Sequence, residues 1–85
     1  MSTNTDIASI LGPRVAATAV MMMRDSAYGH YELEDYGYAV EVAWFADGNN
    51  YHCDVSVNGN NGSDGFTLAT AEEKLTALIA KTIAA

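Results

Sequence analysis

The clearest pattern in the chain is residues 38–58, YAVEVAWFADGNNYHCDVSVN, where apolar and polar side chains alternate on both sides of a glycine-containing turn. Alternation with a period of two is typical of β-strands that bury one face. The pattern predicts two antiparallel strands joined by a turn at the letters ADGN. Keeping both apolar faces on one side of the sheet places Trp44 opposite Tyr51 across a four-residue loop, and Glu41 opposite Asp54.

The neighbouring segments extend this hairpin into a larger antiparallel sheet. Residues 59–65 are rich in Asn and Gly and are predicted to form a loop. Residues 66–68 follow as a short third strand. Residues 30–34, ahead of the hairpin, are read as an optional further strand. We therefore expect a meander of three or four strands.

Helical signals flank the sheet on both sides. Residues 6–11 and 13–24 carry apolar side chains at helical spacing, and the Gly12-Pro13 pair predicts a break between them. Thr70 and Glu73 match a capping box, which predicts a second helix from there to about residue 83. Residues 1–85 are thus expected to form a single α+β domain: an N-terminal helix, an antiparallel meander and a C-terminal helix, with both helices on one sheet face.

The second half of the N-terminal helix is apolar on nearly every side. A helix of this kind is buried on more than one side. A chain of 85 residues buries only about 60–65% of its unfolded surface, so sharing apolar surface with a second copy would add stability. These features favour a homodimer. The residues expected at its seam are Val15, Ala19, Val20, Met22 and Met23.

Charge is distributed unevenly along the chain. The sequence has 11 Asp and Glu against 4 Lys and Arg, for a net charge of −7, and residues 25–73 contain no Lys or Arg. Such an acidic field repels nucleic acid and anionic membranes and attracts basic surfaces. Direct binding to nucleic acid or to a membrane is therefore not expected. The alternative is that the acidity serves only solubility.

Other features of the sequence favour a cytoplasmic protein. No Lys or Arg precedes an apolar stretch near the N-terminus, so we expect no secretory signal. The longest apolar run, residues 16–23, is far shorter than the roughly 18 residues typical of a membrane span. The single cysteine, Cys53, excludes an intramolecular disulfide.

Tyrosines and acidic residues are interleaved between residues 28 and 36. Tyrosine combines a large contact area with a polar tip and is enriched at binding hot spots. Carboxylates between the rings suit Lys and Arg, which pair with the charge and stack over the aromatic face. The outer side of the predicted hairpin adds further acids. The candidate partner-binding residues are Tyr28, Tyr31, Glu32, Glu34, Asp35, Tyr36, Glu41 and Asp54.

Motifs for catalysis or for a cofactor are weak. Cys53 falls on the apolar side of its strand, which predicts a buried, unreactive thiol. His30 with Glu34, and His52 with Asp54, have the spacing of dyads, but no nucleophilic serine stands at a sharp strand-to-helix turn. The Gly-rich segment lacks the Lys of a phosphate-binding loop. We expect no enzymatic activity, no cofactor and no resident metal.

A calcium-dependent binding module is one alternative. Gly59, Gly62, Asp64 and Phe66 match four of the five defining positions of a calcium-binding nonapeptide repeat, with Asn60 in place of the second glycine. Such repeats bind calcium between stacked turns, and this chain has one copy. A hairpin loop is therefore the favoured interpretation of this segment.

In general character the chain resembles the small inhibitor proteins of phages and mobile elements, including anti-CRISPR proteins. The resemblance rests on the short length, the base-free acidic residues 25–73 and the segment YGHYELEDY at residues 28–36. It is a resemblance of type, without a shared motif. It implies an acidic, non-catalytic inhibitor in the host cytoplasm, which acts as a DNA mimic on the basic surface of a nucleic-acid-binding complex. The alternatives are a structural homodimer whose acidity serves solubility, and the calcium-dependent module.

Overall fold

The described part of the chain is a four-stranded antiparallel sheet with one helix before it and one after it. The computed structural model describes residues 4–84. In chain order the elements are α1 (Asn4–Asp25), β1 (Tyr28–Asp35), β2 (Tyr38–Asp47), β3 (Asn50–Val57), β4 (Asn60–Thr67) and α2 (Leu68–Ala84). The strands lie in the order β1-β2-β3-β4. This confirms the predicted α+β class, with its helix, antiparallel meander and helix.

Both helices pack on one face of the sheet, called here the inner face, and the core lies between the two layers. Val42 and Cys53 of the sheet, Leu11 of α1, and Leu75 and Ile79 of α2 are all 0% exposed. Burying an aliphatic side chain of this size contributes about 1.5–3 kcal/mol. The core formed by these layers is the main source of the stability of the fold.

Four residues of the predicted dimer seam belong to this core. Val15 and Ala19 are 0% exposed, Met23 is 1% and Val20 is 2% exposed. They contact the sheet and α2 of their own chain, so they are not available to a second copy and their assignment to a seam is wrong. Met22, the fifth, is 37% exposed. Burial between the sheet and α2 explains most of the apolar character of α1, whereas Met21, at 67%, and Ile10, at 44%, are exposed.

One described helical segment, Asp6–Asp25 in α1, is long and apolar enough to cross a membrane. Core helices of globular proteins meet the same criterion of length and composition. In this fold, α1 packs part of its surface into the core.

Two-residue turns join successive strands, and positive φ angles at these turns match the twist of the sheet. Tyr36 and Gly37 have φ angles of 54° and 77°, and Asn58 and Gly59 have φ angles of 49° and 91°. Two successive positive φ angles are typical of a type I′ turn. The Asn58 side chain accepts a hydrogen bond from the Ala39 N–H at 2.8 Å and donates one to the Gly37 carbonyl at 3.2 Å. Asn58 therefore ties the β3–β4 turn to the β1–β2 turn.

The β2–β3 hairpin is offset by two residues from the predicted register. Trp44 lies opposite Cys53 rather than Tyr51. The loop holds two residues instead of four, and Gly48 is its first residue, with a φ angle of 65°. This is where a type II′ turn requires glycine. An offset of two keeps every side chain on its face, so the predicted faces are confirmed and the predicted cross-strand partners are wrong.

Residues 60–67 form the full-length strand β4, so the prediction of a loop over residues 59–65 is wrong. The strand pairs with β3 from Asn60, opposite Val57, to Thr67, opposite Asn50. Its Asn, Gly, Ser and Asp residues have low β-propensity. The strand is held by its pairing with β3 and by packing under α2. β1 likewise runs beyond the predicted residues 30–34.

The helix boundaries also differ from the prediction. α1 continues through Gly12 and Pro13 without a break. Pro13 is exposed, and Gly12 lies where an added Cβ would come within 3.3 Å of the Thr76 carbonyl oxygen of α2. Close packing of the two helices there offsets the hydrogen bond that proline removes. α2 begins at Leu68, directly after β4, so the predicted capping box at Thr70 lies inside the helix.

Candidate functional site

The sheet surface that faces away from the helices, called here the outer face, collects side chains from alternate positions of every strand. These residues are Tyr28, His30, Glu32, Glu34, Ala39, Glu41, Ala43, Phe45, Asp47, Asn50, His52, Asp54, Ser56, Asn61, Ser63, Gly65 and Thr67. None of them is Lys or Arg. The outer face therefore carries its carboxylates without a permanently charged basic residue among them.

One half of the outer face is acidic. Glu32 on β1 lies directly opposite Glu41 on β2, and Glu34 follows Glu32 on the same side of β1. Among the residues that the structure describes, none forms a hydrogen bond or an ion pair with these three carboxylates. Like charges directly opposite each other destabilise a sheet, on a scale of about 0.2–1 kcal/mol per pair. A cation bound here would relieve that repulsion.

Asp54 shares the outer face with Glu41 but does not lie opposite it. Glu41 is opposite Ser56 on β3, so the predicted pairing of Glu41 with Asp54 is wrong. The carboxylate of Asp54 lies 3.5 Å from Nε2 of His52. The opposed like charges are instead those of Glu32 and Glu41. This difference follows from the two-residue offset of the β2–β3 hairpin.

The other end of the outer face is aromatic. Tyr28, Phe45 and His52 lie in one row across β1, β2 and β3. The ring centroids of Phe45 and His52 are 5.1 Å apart, with the ring planes inclined by 36°. Tyr28 is 76% exposed and Phe45 is 50% exposed. These faces are open to a planar cation such as a guanidinium group, which stacks favourably on aromatic rings.

Two open hollows of about 450 and 400 Å³ lie on the acidic half. Glu32 and Glu34 line the first hollow, Asp54 lines the second, and Glu41 lines both. The short residues that help to form the floors are Ala39, Ala43, Ser56 and Ser63. The floor residues have short side chains and the surrounding Glu side chains are longer. The aliphatic part of a Lys or Arg side chain therefore has room to lie between the carboxylates.

Three of the predicted partner-binding residues lie apart from the outer face. Tyr31 is on the inner face, partly buried against the core. Asp35 forms an ion pair of 3.2 Å with Arg14 of α1. Tyr36 is the first residue of the β1–β2 turn and is 50% exposed. The five candidates that the outer face does bring together are Tyr28, Glu32, Glu34, Glu41 and Asp54.

His30, Phe45 and His52 belong to this surface but are absent from the sequence-based set. Phe45 and His52 follow the alternation of the hairpin, which places them on the polar side of the sheet. His30 lies between Tyr28 and Glu32 on the exposed side of β1, where exposure alternates residue by residue. A period of two over residues 28–35 is the signal that would have identified His30 as a surface residue.

The remaining chemical motifs are accounted for by the fold. Burial raises the pKa of the Cys53 thiol to about 12, and the nearby charges of Asp54 and Asp64 act in the same direction. The predicted burial of Cys53 is confirmed by its 0% exposure. The candidate calcium motif lies in the β3–β4 turn and in β4. An extended strand paired with β3 does not make the turn that a nonapeptide repeat uses at these positions, so the fold does not form that repeat; a dependence on calcium stays a prediction.

Comparison with known proteins gives no match to a family model, to a curated protein or to a solved structure.

Proposed function

We propose that the outer face is the binding surface for a basic partner protein, and that the chain is a non-catalytic inhibitor that covers the partner's basic surface. The observation that carries the proposal is the composition of this face. Glu32, Glu34, Glu41 and Asp54 are exposed beside the open ring of Tyr28, and the face has no Lys or Arg. Neither α1 nor α2 covers it.

The affinity of such a face comes from several contacts acting together. A single exposed ion pair contributes only about 0–1 kcal/mol, because water screens it. Lys and Arg side chains lying in the two hollows would meet Glu32, Glu34 and Glu41 at once and exclude part of that water. Stacking of Arg on Tyr28 or Phe45 adds about 0.5–1 kcal/mol at an exposed site. The net charge of −7 speeds the encounter with a basic surface.

The inhibitory mechanism is competition with nucleic acid. A basic groove that binds DNA or RNA neutralises phosphates with Lys and Arg, and its affinity falls steeply with salt. The carboxylates of the outer face would occupy the same cations, so partner and nucleic acid could not be bound together. This is the mode of action implied by the resemblance to acidic phage inhibitors.

The test is a pull-down from bacterial lysate at low and high salt, with two charge-reversal variants. The first variant is Glu32→Lys with Glu34→Lys, on the outer face. The matched control is Glu72→Lys with Glu73→Lys, two exposed residues of α2. Both variants have the same net charge, so they differ only in where the charge is reversed.

The proposal expects a nucleic-acid-binding protein that is retained at low salt, released at high salt and displaced by duplex DNA. The outer-face variant should lose this partner and the α2 variant should keep it. Equal capture by both variants, or capture that is insensitive to salt, would contradict the proposal. Light scattering on the same samples tests the alternative homodimer, which requires a particle of twice the chain mass.

A further inference from the structure

We propose that His30, Glu32 and Glu41 form a binding site for a divalent transition-metal ion on the acidic half of the outer face. The three residues each offer one ligand atom, and these atoms all lie within 4.8 Å of one another. The site would belong to the free protein and does not depend on a basic partner. Its ligand is a metal ion rather than a protein surface.

The sheet itself brings the three donors together. His30 and Glu32 are two residues apart on β1, so their side chains leave the same face of the strand. Glu41 is the cross-strand partner of Glu32. The ladder between β1 and β2 therefore fixes the relative positions of the three Cβ atoms. Sites built on paired strands are held more precisely than sites on loops.

The distances are compatible with coordination after a small movement. Zinc binds imidazole nitrogen and carboxylate oxygen at about 2.0–2.2 Å, which sets tetrahedral donors about 3.4 Å apart. The donor atoms lie up to 4.8 Å apart, so bringing them to this spacing needs shifts on the order of 1 Å, shared among three side chains. All three are exposed, so their rotamers can adjust without disturbing the core.

The donor set identifies the class of ion. Imidazole nitrogen favours zinc, copper, iron and nickel, whereas magnesium and calcium prefer oxygen ligands alone. Two carboxylates with one imidazole therefore favour a borderline ion such as Zn²⁺. Its two positive charges would neutralise the opposed Glu32 and Glu41, which no described residue pairs with. Three protein ligands leave one tetrahedral position for water.

The second histidine of the outer face, His52, serves as a control. Among the described residues, the ion-pair partner of His52 is Asp54, at 3.5 Å, and His52 is absent from the three-donor cluster. His30→Ala and His52→Ala remove the same side chain from two strands of one sheet face, where His30 is exposed and His52 is partly buried. A metal site at His30 is sensitive to the first change and not to the second.

The experiment is calorimetric titration of Zn²⁺ into untagged, metal-free protein, with thermal melting in parallel. The expected result is saturable binding of one ion per chain and a higher melting temperature with Zn²⁺. His30→Ala and Glu41→Gln should each weaken binding at least tenfold, while His52→Ala leaves it unchanged. Circular dichroism of each variant checks that the fold is retained.

Cobalt substitution gives a second readout. Co²⁺ at the site should show visible d–d absorption without the intense thiolate band, because Cys53 is buried on the inner face. No saturable Zn²⁺ binding, equal loss in His30→Ala and His52→Ala, or binding of Ca²⁺ in preference to Zn²⁺ would each overturn the inference. None of these results depends on whether a basic partner exists.

Discussion

Replacing Gly62 with alanine should destabilise the protein, because α2 lies directly against this position of β4. A Cβ built on Gly62 would come within 2.7 Å of Oγ1 of Thr82 and within 3.2 Å of Cδ1 of Leu78. Thr82 is only 3% exposed, and its hydroxyl donates a hydrogen bond to the Leu78 carbonyl at 2.8 Å. Relieving the clash means moving a buried, hydrogen-bonded side chain or lifting α2 from the sheet.

Two opposing effects set the size of the change in the free energy of unfolding. Overpacking of a filled core costs about 1–3 kcal/mol. Alanine restricts the unfolded chain more than glycine does, which stabilises the folded state by about 0.4–1 kcal/mol. The expected loss in the free energy of unfolding is therefore about 1–2 kcal/mol. For a domain of this size, each kcal/mol lowers the melting temperature by about 4–8 °C.

Urea denaturation and thermal melting of two alanine variants test this reasoning. Gly65→Ala is the matched control, because it lies on the same strand but its Cβ would meet nothing closer than the Tyr51 carbonyl oxygen at 3.9 Å. The unfolded-state effect is common to both variants, so their difference isolates the clash. In a Thr82→Ala background, the cost of Gly62→Ala should shrink by at least about 0.5 kcal/mol. If Gly62→Ala and Gly65→Ala are equally stable, the close packing of α2 against Gly62 is refuted, and with it the register of β4.

Three further outcomes are expected. Val20→Asp places a carboxylate at a position that is 2% exposed and should lower the free energy of unfolding by more than about 4 kcal/mol. Met22→Asp, at a position that is 37% exposed, is the control and should remain folded. A folded Val20→Asp protein would contradict the burial of α1. The unfolded Cys53 thiol ionises from about pH 9.0 and the folded thiol only near 12, so stability should fall by up to about 1.4 kcal/mol per pH unit between these values. Cys53→Ala should lack that component in pH-dependent denaturation. Tyr51→Phe removes the hydrogen bond from the Tyr51 hydroxyl to the Met23 carbonyl at 3.1 Å. It should lower the free energy of unfolding, measured by urea denaturation, by about 0.5–1.5 kcal/mol. An unchanged urea midpoint would argue against that bond.

The candidate site was predictable to the extent that it follows strand alternation. Glu41 and Asp54 are placed on the polar side of the hairpin by the period of two, and this does not depend on the register. Their mutual position does depend on it, because an offset of two residues exchanges Asp54 for Ser56 opposite Glu41. The opposition of Glu32 and Glu41 required the pairing of β1 with β2 and its register, which the alternation within β1 does not fix.

Periodicity of apolar residues is a local property, so the sequence by itself determined the α+β class, the central hairpin, the buried Cys53 and the acidity of the outer face. Tertiary structure decided the features that depend on distant partners. β4 is a strand because β3 and α2 hold it, although its own residues favour a loop. Most of the apolar residues of α1 are buried by the sheet and α2 together, and packing against α2 carries the helix through Pro13. Such long-range contacts overrule local propensity because burying a large apolar side chain contributes about 1.5–3 kcal/mol, whereas β-propensity spans only about 1 kcal/mol.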